Sequence, residues 1–288
     1  MDWLFAQPLD SVISTRILLI VVATFVASAA VSVLSAVTLG GGKYAPLGCS
    51  AVPIAFLAGN ILFLGIPTFP SADPLHLIPI VILAGLLAGI VIDAAIGIES
   101  AKLAVVLVWP AVVVVGIGWR EMPDFATIAG LPMALLWLGA VLGYLWMGLE
   151  HRFASTPVVT LFVMTVGLAL LAFLGDSKIM TVLSAILAAA LFGFFAFNWP
   201  LPRFPIQAVG HLGIAGAVLS LAVAVVLYTA TPAQAVAVLL LVVAAPPLAG
   251  RLPLGTGPKS GPIVLMFVSA LPVIMAVAVA LHYQGSLL

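Results

Sequence analysis

The sequence is dominated by long apolar runs that recur along the chain and are separated by short breaks rich in proline, glycine and charge. A run of about 20 apolar residues is long enough to cross the hydrocarbon core of a bilayer as an α-helix. Hydrophobic residues make up 65% of the chain and charged residues 6%, whereas soluble domains carry roughly 25% charged residues. Because one soluble core could not hide so much apolar surface, the pattern predicts an all-α polytopic membrane protein.

The breaks divide the chain into about ten candidate spanning helices, which we expect to pack in one bundle. The predicted spans cover approximately residues 16–39, 48–68, 76–97, 101–119, 126–148, 156–175, 179–197, 206–229, 232–249 and 261–282. No soluble domain of useful size fits between them, so residues 1–288 are predicted to form a single integral membrane domain. The first run is longer than the apolar region of a signal peptide, which favours a retained helix.

Basic residues distribute unequally between the two sides of such a bundle. One side receives Lys43, Lys102, Arg152, Arg203, Arg251 and Lys259, and the other receives Arg16, Arg120 and Lys178. The positive-inside rule assigns the larger set to the cytoplasm. We therefore expect an integral protein of a bacterial inner (cytoplasmic) membrane with both termini outside. The formal net charge is +0, which gives no sign of a nucleic-acid partner.

Charge is nearly absent from the predicted helix centres, and Asp93 is the exception. It lies in an apolar run near the predicted cytoplasmic end of the third span. An aspartate costs roughly 2.5–3.5 kcal/mol at the centre of a membrane helix and less near its end. Two interpretations are open: an interfacial carboxylate that reaches water or pairs with Lys102, or a carboxylate of a functional site.

Other polar residues also allow an ordinary and a functional interpretation. Glu150, in the charged cluster 150–152, is either a solvated helix end or part of a polar site. His211 is either a packed residue of the eighth span or a ligand or base. Asn198 is a suitable residue for the end of a helix. The single Cys49 excludes an intrachain disulfide and is interpreted as a small packing residue.

One segment carries a more specific signal. Residues 193–203 read G-F-F-A-F-N-W-P-L-P-R, and the chain continues through Ala208 to Gly210. This resembles the G-F-L-x-F-N-x-P-P-A-R segment, followed by M-G-D-x-G-S, of the polyprenyl-phosphate N-acetylhexosamine-1-phosphate transferase family (glycosyltransferase family 4, which is similar to phospho-N-acetylmuramoyl-pentapeptide transferase). Gly210 fits this pattern without a gap, and Ala208 stands where the family has its metal-binding Asp.

A second segment, residues 89–102, resembles the family pattern G-x-x-D-D followed, after eight residues, by Lys. Ile92 replaces the first Asp of the pair, whereas Asp93 keeps the second. Lys102 keeps the lysine at the family's spacing. This segment therefore retains one of the two paired carboxylates.

Two further segments resemble the family more weakly. Residues 147–155 align with D-G-x-D-G-L-A-A-G, where Met147 replaces the first Asp and Glu150 replaces the second conservatively. Residues 45–50 are similar to a T-P-x-G-G loop that follows the first helix. The last predicted loop, 251–259, holds no His, although the family usually has a His-rich motif there.

The resemblance implies about ten or eleven spanning helices with an active site on cytoplasmic loops. Family members transfer a sugar-1-phosphate from a UDP-sugar to a prenyl phosphate with Mg²⁺, in the assembly of cell-envelope glycans. The departures above remove most of the carboxylates that would hold Mg²⁺. We therefore expect a degenerate member, with lost or strongly reduced catalysis, no bound cofactor and a retained lipid-binding or partner role. Asp93, Lys102, Glu150, Asn198 and Arg203 would line the remaining site.

Other functions stay open. An active transferase would use Asp93 as its catalytic residue, Lys102, Glu150, Asn198 and Arg203 as substrate contacts, and Asp93 with Glu150 as altered Mg²⁺ ligands. A ten-helix small-molecule transporter is a further alternative, although no internal repeat is evident, and so is a purely structural membrane subunit. The expected partners are membrane lipid, with prenyl phosphate as the candidate ligand, and a membrane-protein partner or a second copy in a homodimer.

Overall fold

The computed structural model describes most of the predicted membrane segments. The described residues are 11–39, 45–67, 74–95, 99–118, 134, 136–143, 155–200, 203–204, 206–255 and 257–285. Their regular secondary structure is helical, without any strand, which confirms the all-α prediction. The predicted cluster 150–152 lies outside these residues, and so does most of the predicted span 126–148.

Ten α-helices are labelled here in chain order. They are α1 (Ser11–Leu39), α2 (Ala51–Leu64), α3 (Leu77–Ala95), α4 (Glu99–Gly118), α5 (Ser155–Leu174), α6 (Lys178–Asn198), α7 (Gly216–Tyr228), α8 (Ala233–Leu239), α9 (Ala245–Ala249) and α10 (Ser260–Gly285). Short 3-10 helices cover Ala45–Ser50, Pro74–His76 and Leu240–Ala244. A π-helix covers Gly210–Ala215 and runs directly into α7, and residues 136–143 are also helical.

Six helical segments of the described chain are long and apolar enough to cross a bilayer. They are Thr15–Thr38, Leu47–Leu64, Ser155–Leu174, Lys178–Asn198, Gly210–Tyr228 and Ser260–Gln284. Shorter apolar helices cover Leu77–Asp93, Leu107–Gly118 and Ala233–Ala249. These helices identify a membrane-embedded protein. They do not establish the predicted count of ten crossings, which stays a prediction.

Burial separates a central helix from peripheral ones. Of the most apolar stretch of Gly210–Tyr228, 83% is buried inside the bundle, against 22% for Thr15–Thr38 and 28% for Ser260–Gln284. The outer helices present large apolar side chains outward, such as Val37 on α1 and Phe267 on α10. In a bilayer these faces contact hydrocarbon, whereas helix Gly210–Tyr228 contacts protein on nearly every side.

The bundle has two ends, and hydrogen bonds between helix ends mark one of them. At one end the Tyr228 hydroxyl donates to the carbonyl of Ile117 at 2.9 Å, and the Thr231 hydroxyl donates to the carbonyl of Leu171 at 2.9 Å. We call it the 175–178 end, after the turn between α5 and α6. Residues 208–228 are helical throughout and are called helix 208–228. The opposite end of the bundle, where α6 stops and the segment leading to helix 208–228 begins, is called the 198–208 end.

Candidate functional site

Asp93 lies near the last turn of α3 and caps the start of another helix. Its Oδ1 accepts the backbone N–H of Ala208 at 3.1 Å, and its Oδ2 accepts that of Val209 at 2.9 Å. The first N–H groups of a helix lack partners within the helix, and the helix dipole favours a negative charge beside them. The half-buried carboxylate of Asp93 supplies both the missing hydrogen-bond acceptors and the negative charge. This capping role is one that neither sequence interpretation of Asp93 had included.

Two glycines of α3 bring it close enough for this contact. A Cβ atom on Gly89 would lie 2.5 Å from the Cα atom of Val209, and one on Gly85 would lie 2.5 Å from the carbonyl oxygen of Leu212. Both distances are far below van der Waals contact, and the opposing atoms belong to backbone. Glycines four residues apart allow close helix contact in membranes. They therefore position Asp93 against the helix that it caps.

The π-helix that follows is held by a tryptophan of α4. The indole Nε1 of Trp109 donates to the carbonyl of Leu212 at 3.0 Å. Single π-turns disturb the regular carbonyl ladder and are frequent at functional sites. Within the same turn, Nδ1 of His211 lies 2.9 Å from the carbonyl oxygen of Gln207. We call residues 89–93 and 206–211 together the capped corner.

Asn198 organises the segment that leads into the capped corner. Its Nδ2 donates to the carbonyl of Phe194 at 3.0 Å, and its Oδ1 accepts the backbone N–H groups of Arg203 and Phe204, each at 3.0 Å. The side chain is only 3% exposed. Asn198 therefore ends α6 and closes the following loop at once. The Trp199–Pro200 peptide bond inside this loop is cis.

Aromatic rings pack at Arg203 and Phe204, where that loop ends. Phe204 stacks against Phe194 and Phe197, with ring centroids 6.4 Å and 6.2 Å apart. The guanidinium of Arg203 lies 4.5 Å above the Phe197 ring, a cation–π distance. Arg203 itself is exposed. It therefore presents a positive charge at this end of the bundle.

The segment Ala45–Ser50 joins the loop to the capped corner. A Cβ atom on Gly48 would lie 2.4 Å from the Phe204 ring, so the ring packs directly on the glycine. The same segment contacts both α3 and the π-helix. Cys49 is fully buried within it, in line with its interpretation as a packing residue. Three of the four segments that carry the resemblance thus meet at the 198–208 end.

The structure describes the predicted site residues unequally. It places Asp93 in the capped corner and puts Asn198 and Arg203 in the neighbouring loop. Lys102 lies on α4, but its side chain is outside the described part, and Glu150 is outside it altogether. A joint site of all five residues therefore stays a prediction.

The described part of the capped corner offers one carboxylate, that of Asp93, as a ligand for Mg²⁺. The part of the chain that the structure describes contains no group of three or more His, Cys, Asp or Glu side chains able to hold a metal ion. Both oxygens of Asp93 already accept N–H groups from a helix start. That helix start is positively polarised, which disfavours a cation beside it. The positive end of helix 208–228 therefore stabilises the anionic side chain of Asp93.

Sequence reasoning missed two residues that position the corner, Gly85 and Trp109. The spacing of Gly85 and Gly89 is visible in the sequence as a small-residue pair that favours helix contact. Trp109 gave no comparable signal, because its acceptor is a backbone carbonyl 103 residues further along the chain.

The sequence was compared with known families and with characterised proteins. No family model matches the chain, and no curated protein matches it at a significant level. The family resemblance therefore depends on the residues of four segments, 45–50, 89–102, 147–155 and 193–210.

Proposed function

We propose that the protein is a degenerate relative of the polyprenyl-phosphate N-acetylhexosamine-1-phosphate transferases. Its catalysis is lost or strongly reduced, and it retains a lipid-binding or partner role in cell-envelope glycan assembly. One observation carries the proposal: the Asp93 carboxylate contacts the backbone of Ala208. Those are the two positions at which the resemblance aligns metal-binding carboxylates.

The contact supports kinship because two independent alignments meet in space. Asp93 belongs to the match at 89–102, and Ala208 to the match that begins at Gly193. The two residues are 115 positions apart, yet their nearest polar atoms are 3.1 Å apart. Chance likeness between two unrelated apolar segments would give no reason for these positions to meet.

The same contact supports the loss of catalysis. At position 208 the chain offers a methyl group in place of a carboxylate. Both oxygens of the surviving Asp93 accept backbone N–H groups of the helix start, which weakens them as ligands for a metal. Transfer of a phosphoryl group depends on metal ions and cationic groups that neutralise its developing charge. A corner built in this way has lost that means of stabilising the transition state.

We also propose a membrane topology for the chain. The chain crosses a bacterial inner membrane ten times, with the 198–208 end in the cytoplasm and both termini outside. Exposed Arg203, Arg251 and Lys259 at the 198–208 end support this orientation under the positive-inside rule.

A transfer assay tests the proposal directly. Purified full-length protein in nanodiscs is incubated with UDP-N-acetylhexosamines, prenyl phosphate and Mg²⁺, and labelled lipid product is measured. We expect no product above protein-free nanodiscs. Turnover that Asp93→Asn abolishes would overturn the proposal in favour of an active transferase with altered ligands.

A binding arm tests the retained lipid role. Prenyl phosphate should bind in EDTA, because the proposed contact is with cationic side chains rather than with a metal. Arg203→Ala should weaken binding several-fold, and Lys178→Ala, at the opposite end of the bundle, should leave it unchanged. If neutral prenol bound as tightly as prenyl phosphate, that result would contradict recognition of the phosphate group.

A further inference from the structure

An apolar groove lies at mid-height on the membrane-facing surface, between α1, α5 and α6. Its volume is about 570 Å³. Val21 and Phe25 of α1, Phe162 of α5, and Ala189 and Phe192 of α6 contribute to its apolar lining. Because the groove opens sideways and the protein is embedded in a membrane, it faces hydrocarbon rather than water. Its chemistry suits a lipid chain.

An aromatic track connects this groove with the 198–208 end. The Phe192 ring lies 5.7 Å from that of Phe25 and 5.5 Å from that of Phe162. The track continues from Phe192 to Phe195 at 6.4 Å, and from Phe195 to Trp199 at 6.2 Å. Trp199 is 38% exposed, as expected for an indole in the interfacial belt. Phe195 is buried, whereas Phe192, Ala196 and Trp199 are exposed. A chain that follows these exposed residues along α6 would therefore reach the membrane surface beside Trp199.

Positive charge lies where the track ends. The indole Nε1 of Trp199 donates to the backbone carbonyl of Lys259 at 3.3 Å, which places this exposed lysine beside the tryptophan. Among the charged side chains that the structure describes, this end also carries Arg203 and Arg251. Its described acid, Asp93, is already engaged by backbone N–H groups. The headgroup position is thus complementary to an anion.

The dimensions match a lipid of one leaflet. Ala185 is the lining residue of α6 that lies farthest from the 198–208 end. Along the helix it is about 21 Å from Trp199, at roughly 1.5 Å per residue. Half of a hydrocarbon core of about 30 Å, with the interfacial layer beyond it, covers a similar distance. A longer occupant would extend past the groove into the other leaflet.

We propose that the groove binds an anionic glycerophospholipid of the surrounding bilayer. One acyl chain lies between α1, α5 and α6, and the headgroup phosphate contacts the Lys259 ammonium. Neither α3 nor helix 208–228 contributes a lining residue. The site is therefore separate from the capped corner and goes beyond the proposed function.

Native mass spectrometry of the full-length protein in detergent tests the headgroup contact. Phosphatidylglycerol and phosphatidylcholine with identical acyl chains are titrated separately. The wild type should hold one phosphatidylglycerol several-fold more tightly than phosphatidylcholine. Lys259→Ala should remove this preference, whereas Lys178→Ala, at the other end of α6, should keep it. Equal affinity of the wild type for the two lipids, or an equal effect of both variants, would overturn the proposal.

A groove-filling substitution tests the chain contact. Ala189→Phe places a ring in the groove and should weaken binding of both lipids several-fold. Ala58→Phe adds the same ring on an exposed face of α2 and should leave binding unchanged. Thermal unfolding checks that both variants fold. A folded Ala189→Phe protein with wild-type lipid binding would show that the lipid lies elsewhere.

Discussion

Single side chains at the 198–208 end stabilise backbone that would otherwise be unpaired. Asn198 serves three backbone groups and Asp93 serves two. The N–H groups that these two side chains bind are buried or partly buried, where a backbone group without a partner costs free energy. Both are candidate site residues, and both also have this structural role.

Asn198→Ala should lower the free energy of unfolding by roughly 1–3 kcal/mol, because buried N–H and C=O groups lose their partners. Asn60 provides a matched control. It is also buried, at 1% exposure, but its Nδ2 has no hydrogen-bond partner among the described residues. Asn60→Ala should therefore cost less. Thermal unfolding in one detergent would compare the two, and a larger loss for Asn60→Ala would contradict the role of Asn198.

Ala208→Asp places a second carboxylate beside Asp93 and tests the proximity of the two positions. Two carboxylates in contact repel one another, so the variant should unfold at a lower temperature in EDTA than the wild type. Mg²⁺ should recover part of this loss, because two carboxylates can share the ion. Ala208→Asn is the neutral control and should show no Mg²⁺ response. An Ala208→Asp protein indifferent to Mg²⁺ would contradict the assigned pairing.

The sequence could reveal Asp93 but not its partners. A lone carboxylate in an apolar run is conspicuous because it is costly there. Its acceptor role depends on N–H groups of a helix start that no side chain marks, since Ala208 and Val209 are ordinary apolar residues. For Asn198, the helix-ending role followed from residue type, whereas the bonds to Arg203 and Phe204 required the fold of the loop.

At the scale of helices, the central contact joins α3 to helix 208–228. Its closeness comes from the absence of side chains at Gly85 and Gly89, with the Trp109 indole fastened to the π-turn beside them. In lipid, helices gain little from apolar burial and associate through close packing and hydrogen bonds. The contact between α3 and helix 208–228 uses both close packing and hydrogen bonds.

Gly89→Ala should push α3 away from helix 208–228, because its new Cβ atom would meet backbone at 2.5 Å. We expect a loss of more than about 1 kcal/mol, the usual result of overpacking. Gly116→Ala on α4 is the matched control, since its Cβ atom would meet only Val81 at an ordinary 3.6 Å. It should be neutral or stabilising, as alanine favours helix. Similar unfolding temperatures for the two variants would contradict the close contact.

Helix positions followed well from the apolar runs, but helix irregularities did not. The predicted span 179–197 corresponds to α6 at Lys178–Asn198, because charge and proline mark both of its ends. The predicted span 232–249 is instead divided into α8, a 3-10 helix and α9. Pro246 and Pro247 carry no N–H for the helical ladder, a signal that the sequence did contain.

At the scale of the molecule, the arrangement separates a protein-facing centre from a lipid-facing periphery. Hydropathy could not predict which helix is central. The most buried segment, Gly210–Tyr228, has a mean hydropathy of 2.1, and the peripheral Ser260–Gln284 has 2.7. Lipid and protein interior are both apolar, so central and peripheral helices have similarly apolar sequences. The composition was therefore enough for the class of fold but not for the positions of its helices.

Membrane orientation can be tested with single cysteines. The native Cys49 is fully buried, so the wild type should stay unlabelled by a membrane-impermeant maleimide on intact cells. Lys178→Cys should be labelled from outside, and Lys259→Cys only after the membrane is permeabilised. The opposite pattern would reverse the proposed orientation. Labelling of both from outside would place the two ends on the same side and contradict the bundle.

The most direct test of the central claim is thermal unfolding of the wild type and Asp93→Asn, each with and without Mg²⁺ and a UDP-N-acetylhexosamine. If Asp93 is a helix cap, the variant loses roughly 1–3 kcal/mol of stability, because an amide has one acceptor oxygen and leaves one of the two N–H groups without a partner. That loss is then the same in both conditions, and the wild type gains nothing from the additions. A wild-type protein that Mg²⁺ and the nucleotide sugar stabilise together, with the gain absent in Asp93→Asn, would instead make Asp93 part of a working metal–nucleotide centre.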